Sequence, residues 1–156
     1  MRRGKVLVIG AAEAGKSTLI QALAPGAMNL EVDGRTVAMD HAVLSRRGSI
    51  VSLVGVPGQR RFGPVREVLA KGAVCAVWVH RADTPVDRDT AELIAKFSDE
   101  GLPYVVFVNR DDGCGREDGW RTPADCRGPA AVIAGNPLKP DGCLASLEDE
   151  VWKLVD

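Results

Sequence analysis

One segment constrains this chain more than any other. Gly10-Ala11-Ala12-Glu13-Ala14-Gly15-Lys16-Ser17 fills the pattern G-x-x-x-x-G-K-[ST] completely. Its flanks suit it. Lys5-Val6-Leu7-Val8-Ile9-Gly10 is a short, nearly continuous apolar run ending at glycine, as expected of a strand buried on both faces. Lys16 to Ala24 reads as a helix, with Leu19, Ile20 and Leu23 on one side and Pro25-Gly26 stopping it. A strand that turns through glycines into a helix N-terminus is a phosphate cradle. The glycines let the backbone turn tightly and aim N–H groups at an anion. The helix adds the positive end of its dipole. Lys16 would reach the β- and γ-phosphates and the Ser17 hydroxyl would ligate Mg²⁺. The pattern G-x-G-x-x-G is absent, which counts against a dinucleotide cofactor.

The rest of the chain continues the alternation of strand and helix. Residues 25–35 are polar and turn-rich. Thr36 to Leu44 and Ser49 to Val54 read as two strands around Ser45-Arg46-Arg47-Gly48, a hairpin. Val56-Pro57-Gly58 is a loop and Pro64 to Ala70 a short helix. Ala73 to Val79 and Tyr104 to Val108 are further buried strands, with an amphipathic helix over Asp87 to Phe97 between them. Residues 110–129, rich in Gly, Asp, Arg and Pro, hold at most a stub of helix. Ala130 to Ala134 is a last short strand, and Leu144 to Val155 a closing helix. The expected fold is α/β: a doubly wound, mostly parallel six-stranded sheet with one antiparallel edge strand and helices on both faces, forming a single domain over residues 1–156.

Composition narrows the function. Lys+Arg is 20 and Asp+Glu 21, a formal charge of −1, which disfavours binding to nucleic acid through phosphate neutralisation. Aromatic residues are 4%, too few for a base-stacking platform. The four cysteines, at 75, 114, 126 and 143, form no C-x-x-C pair and have no histidine in ligand spacing, so they read as reduced thiols of a cytoplasmic protein. Cys75 lies in an apolar run and behaves as a small hydrophobe. Val6 to Ile9 is too short for a signal-peptide core. Arg2 and the ending Leu154-Val155-Asp156 carry no lipidation signal, so no intrinsic membrane anchor is expected. Trp78 reads as core, and His41 and His80 as solvated strand residues.

Downstream of the phosphate loop lie Thr36-Val37-Ala38-Met39-Asp40, Gly55-Val56-Pro57-Gly58-Gln59-Arg60-Arg61-Phe62 and Asn109-Arg110-Asp111-Asp112. Their order and spacing resemble the small Ras-like GTPases. The branch most similar is the bacterial and archaeal one that includes gliding-polarity and conservon-operon GTPases, with its T-V-A-M-D and T-P-G-Q-E-R-F segments. The resemblance covers roughly residues 5–155. It implies GTP or GDP and Mg²⁺ as ligands, held by Gly10, Ala11, Ala12, Glu13, Ala14, Gly15, Lys16, Ser17 and Thr18. Thr36 would ligate Mg²⁺ beside Ser17, and Gly58 would give its N–H to the γ-phosphate. Gln59 would orient the attacking water, with Lys16 as the other catalytic group. Asn109 would tie the base to the phosphate loop. Asp112 would accept the two adjacent donors of guanine, N1–H and the 2-amino group, which adenine lacks. Arg110 replaces the family's lysine, and Ala134 and Gly135 fall where the last base-contacting loop lies. Without the resemblance, Thr36 is also a β-branched strand start, Gln59 a solvated loop amide, and residues 109–112 a polar turn.

Two departures bear on activity. Gly55 stands where most Ras-like proteins carry a metal-holding aspartate, as it often does in the similar branch; Asp40 is the nearest other acid. Ala12 puts a methyl near the γ-phosphate position. Hydrolysis is therefore expected to be slow. The expectation is a molecular switch that works with an effector and a GTPase-activating or roadblock-type regulator. Its rivals are a nucleotide-bound interaction module without turnover and an ATP-dependent small-molecule kinase.

Overall fold

A computed structural model describes residues 3–24, 28–32, 35–56, 70–110, 120–139 and 142–155; between 28 and 40 it describes the backbone alone. Among the described residues ten elements follow in order: β1 (Arg3–Ile9), α1 (Lys16–Leu23), β2 (Met28–Val32), β3 (Arg35–Arg46), β4 (Ser49–Gly55), β5 (Ala73–Arg81), α2 (Arg88–Asp99), β6 (Tyr104–Asn109), β7 (Val132–Gly135) and α3 (Cys143–Val155).

The strands form one sheet in the order β2-β3-β4-β1-β5-β6-β7. β1 pairs in parallel with both β4 and β5, and β5-β6 and β6-β7 are also parallel. The expected doubly wound, mostly parallel sheet is therefore present. It has seven strands where six were expected, because residues read as a polar turn form β2 at the edge. Met28-Asn29-Leu30-Glu31-Val32 alternates apolar and polar residues, a period-2 signal that the nearby glycine, proline and acidic residues masked. β2 and β3 are antiparallel, as are β3 and β4, so β3 is the strand that runs against the rest and is not itself the edge. The β3–β4 hairpin closes tighter than expected. Arg46 pairs with Ser49, leaving Arg47 (φ 50°) and Gly48 (φ 83°) as a two-residue turn with two positive φ values.

The near-continuous apolar strands have a direct cause. Successive side chains on β1, β5 and β6 point to opposite faces, and both faces are covered. Val6, Val8, Val77, Val105 and Phe107 pack with Leu19 and Ile20 of α1 and Leu147, Val151 and Trp152 of α3. Leu7, Ile9, Ala76, Trp78 and Val106 pack with Ile94 and Phe97 of α2. Asp87 caps α2, accepting from the Thr90 N–H at 3.0 Å and the Thr90 hydroxyl at 2.6 Å. Cys75 is fully buried, and desolvation pushes its thiol up to about 12, so it is an inert core group as the sequence implied. The expected helix over 64–70 lies outside the described residues except for Ala70, which is helical, and the expected stub within 111–119 lies outside them altogether; 120–129 contains turns and no helix. No helix among the described residues is long and apolar enough to cross a membrane.

Candidate functional site

The site forms at the C-terminal ends of β1, β5, β6 and β7, the edge at which doubly wound sheets bind ligands. β1 ends at Ile9 and the chain turns through residues 10–15 into α1. Gly10 carries φ +156° and passes so close to β5 that a Cβ there would collide with the Val79 carbonyl. Gly15 is the N-cap of α1 at φ +99°, and no described side chain caps the helix. An uncapped helix N-terminus of this kind suits an anion cradle.

Lys16 is 2% exposed and folds back under the loop. Its Nζ donates to the Gly10 carbonyl at 2.8 Å and the Ala11 carbonyl at 2.7 Å. A buried ammonium needs such partners, and these hold its charge in the concavity of the loop. From sequence, Lys16 read only as a group that reaches phosphate; the structure makes it a brace of the loop as well. Ala14 is buried, Ser17 and Thr18 half-buried, and Ala12 and Glu13 exposed at the tip.

Another part of the site assembles from a distant stretch of the chain. Asn109 ends β6, and its Nδ2 donates to the Ala14 carbonyl at 3.1 Å across 95 positions of sequence. The Asn109 carbonyl accepts from Ala82 N–H at 3.0 Å, and Arg110 N–H donates to the Gly135 carbonyl at 2.9 Å. Asn109 and Gly135 are also register partners of β6 and β7, with Ala134 buried beside them. The phosphate loop, Asn109, Arg110, Ala134 and Gly135 therefore meet at one edge. Thr36 lies within β3, paired with Glu31, one residue past the strand's start and not in a preceding loop; its side chain is outside the described residues. Gly58, Gln59 and Asp112 also lie outside them. Gly55, at the end of β4, is buried and brings no carboxylate to the loop.

Gly15 offers a direct test of this junction. A Cβ on it would stand 2.5 Å from Asn109 Nδ2, whereas one on Gly48, at similar positive φ, meets nothing within 4 Å. Gly48→Ala should cost only backbone strain, about 1 kcal/mol, and Gly15→Ala about 2–3 kcal/mol, because it also displaces the Asn109 amide. Urea unfolding of the two variants measures the difference; equal losses would show that the Asn109 contact carries no stability.

One group near the loop escaped the sequence reading. His80 is 5% exposed, not solvated. It stands edge-on to Trp120, with ring centroids 5.2 Å apart, and burial lowers its pKa, which keeps the imidazole neutral at pH 7. Only the fold could reveal this, since Trp120 is remote in sequence. Trp78, Val79, His80 and Arg81 line a cleft of about 440 Å³ with Ala11, Glu13 and Ala14 of the loop. No group of three or more His, Cys, Asp or Glu side chains that could hold a metal occurs among the described residues.

Comparison with known proteins agrees with this geometry. The model of a family described as 50S ribosome-binding GTPase matches residues 5–110. An uncharacterized protein of Methanocaldococcus jannaschii is 32% identical over 88% of this chain and 88% of its own length. The elongation factor G-like protein of Mycobacterium tuberculosis is 32% identical over 69% of this chain, which matches 18% of that protein. Among solved structures, the G domain of the T. maritima FeoB iron transporter has a TM-score of 0.74 at 17% identity, covering 99% of this chain and 100% of that one. The Methanococcus maripaludis elongation factor SelB, in complex with a GTP analogue, has a TM-score of 0.75 at 17% identity, covering 99% of this chain and 34% of that one. At such identities the structural likeness speaks for the fold.

Proposed function

Since the chain belongs to the 50S ribosome-binding GTPase family, we propose that it is a guanine-nucleotide switch that binds GTP with Mg²⁺ and hydrolyses it slowly to GDP and phosphate. The observation that carries this reading is the junction of a complete phosphate loop with Asn109, through the Asn109–Ala14 hydrogen bond at 3.1 Å. It couples a triphosphate cradle to the strand end from which Asp112 follows.

The roles divide by chemistry. Loop N–H groups and the α1 dipole hold the phosphates. Lys16, already at the loop carbonyls, adds a point charge at the β/γ bridge. Mg²⁺ would be held by the Ser17 hydroxyl, Thr36 and the phosphate oxygens. Mg²⁺ usually keeps several waters and is bound through one or two carboxylates plus substrate phosphates; here two hydroxyls would stand in for the carboxylates. When bound, it neutralises charge developing on the β- and γ-oxygens. Gly58 N–H would sense the γ-phosphate, Gln59 would orient water, and loss of the γ-phosphate would release both loops. Arg110 would cover the base with its aliphatic stem, and Ala134 and Gly135 would contact it through backbone. A gliding-polarity or conservon-type place in the family, a roadblock-type or other GTPase-activating regulator, an effector and a cytoplasmic location belong to this proposal too, supported by the T-V-A-M-D and P-G-Q segments.

A second reading, a nucleotide-bound module without turnover, is favoured by Gly55, which leaves the end of β4 without a carboxylate. Single-turnover phosphate release decides between them. Gln59→Leu should slow it by about a hundredfold, as misplacing an attacking water does, while the Kd for GTP stays nearly constant. Unchanged hydrolysis would remove Gln59 from catalysis. Absence of any phosphate release in the wild type would favour the module.

A further inference from the structure

β7 ends at Gly135 for a local reason. Pro137 follows two residues later with no N–H to give, so the parallel ladder with β6 stops there. The pair closes with the bond from Arg110 N–H to the Gly135 carbonyl at 2.9 Å. The chain then turns on Asn136. Its Oδ1 accepts from Leu138 N–H at 2.9 Å, and its carbonyl accepts from Lys139 N–H at 3.0 Å. Both bonds lie within the turn and do not fix it to the rest of the fold. Packing adds little beyond the buried Pro137, since Leu138 is 76% exposed and Lys139 is exposed.

A third donor comes from outside the turn. The Cys143 thiol, at the head of α3, donates to the same Asn136 carbonyl, with sulfur and oxygen 3.7 Å apart. A thiol is a weak donor, but this one is held firmly. Cys143 is 5% exposed and belongs to the apolar cluster that contains Leu147, Val151 and Trp152 of the same helix. Ser146 N–H donates to the Gly142 carbonyl at 3.1 Å, which fixes the first turn around Cys143. The end of β7 is thus tied on two sides, to β6 through Arg110 and to α3 through Cys143. The second tie passes directly between two described residues, Asn136 and Cys143.

We infer that Cys143 is a positioning residue for the base edge of the site: its thiol, acting through the Asn136 carbonyl, sets how the end of β7 meets position 6 of a bound guanine. This rests on the proposed guanine reading, in which Ala134 and Gly135 present backbone to the base. It adds a residue on α3, outside the nucleotide motifs. Guanine carries an oxygen acceptor at position 6, where adenine carries an amino donor. A backbone N–H therefore favours guanine when it stands at hydrogen-bond distance from that oxygen, and the preference fades as the donor drifts. Cys143 does not touch the nucleotide.

The test compares GDP, 6-thio-GDP, IDP and ADP in displacement titrations on the full chain. 6-Thio-GDP keeps the N1–H and the 2-amino group and replaces the oxygen at position 6 by sulfur, a weak acceptor. IDP lacks the 2-amino group alone, so the GDP/IDP ratio reads the other edge of the base. The wild type should prefer GDP over 6-thio-GDP by about three- to tenfold, the scale of a neutral hydrogen bond. Cys143→Val, close in size and without a donor, should shrink that preference to about twofold or less and leave GDP/IDP unchanged. Cys143→Ser, which keeps a donor, should retain it. Leu147→Val, one turn along α3 in the same cluster, should lower Tm and move neither ratio. If Cys143→Val does not fold, Cys143→Ala is judged by the same ratios. A wild-type position-6 preference in Cys143→Val or Cys143→Ala would make the thiol mere packing and overturn the inference. So would a parallel fall in both ratios, or a loss of the position-6 preference in Leu147→Val. A wild type that prefers GDP over ADP yet does not distinguish 6-thio-GDP would overturn the inference and leave the guanine reading standing. A wild type that binds ADP as well as GDP would overturn the guanine reading itself, and this inference with it.

Discussion

Replacing Lys16 by methionine should abolish tight binding of GTP and GDP while the chain still folds. Lys16 is buried and makes two short hydrogen bonds to the loop carbonyls of Gly10 and Ala11. Its ammonium is the one cation held inside the cradle among the described loop residues. Hydrogen bonds to charged groups contribute about 1.5–3 kcal/mol each, so losing two phosphate contacts lowers affinity by about a hundredfold or more. Methionine keeps most of the apolar stem and removes the charge, which separates binding from packing. The same change leaves two carbonyls without a donor, so the nucleotide-free protein should itself lose about 1–2 kcal/mol. Calorimetric titration with GDP and urea unfolding of the empty protein read the two effects separately. Affinity within a few-fold of wild type would show that the loop does not bind phosphate.

Asp112→Asn should turn a guanine site toward xanthine. An ionised carboxylate accepts both the N1–H and the 2-amino group of guanine; an amide cannot accept both. Xanthine carries a carbonyl in place of the 2-amino group, and the Asn NH₂ can donate to it. The loss for GDP is about 1.5–3 kcal/mol, roughly ten- to over a hundredfold. A competition series with GDP, XDP and ADP measures it. A preference that fails to move toward XDP would reduce residues 109–112 to a polar turn. Asn109 gives that experiment its footing. Its bond to the Ala14 carbonyl already ties this strand end to the phosphate loop, so the segment starts from a fixed point beside the cradle.

What could be read beforehand follows from which interactions are local. The strand–loop–helix unit over residues 3–23 is written in consecutive residues: an apolar run, glycines where φ is positive, then Leu19 and Ile20 on one helical face. The buried strands β5 and β6 were legible for the same reason, since a strand covered on both faces is apolar throughout. Asn109 as a tie to the phosphate loop came from the family resemblance, and the structure places its amide there. β2 was missed because its alternation spans only five residues and its pairing is with β3. An edge strand is decided by the partner it finds more than by its own propensity.

The sequence by itself determined the pattern of the phosphate loop and the doubly wound order of strands and helices, while the guanine roles of residues 109–112 came from the family resemblance. The first two depend on periodicity and on contiguous motifs, which the chain carries wherever it goes. Tertiary structure alone decided that Lys16 braces its own loop, that His80 is buried, and that Trp120 packs on Trp78 at a centroid distance of 4.8 Å. Each of these depends on where the sheet brings remote residues together. Burial and the partners it demands belong to the folded arrangement, and no local pattern in the chain encodes them.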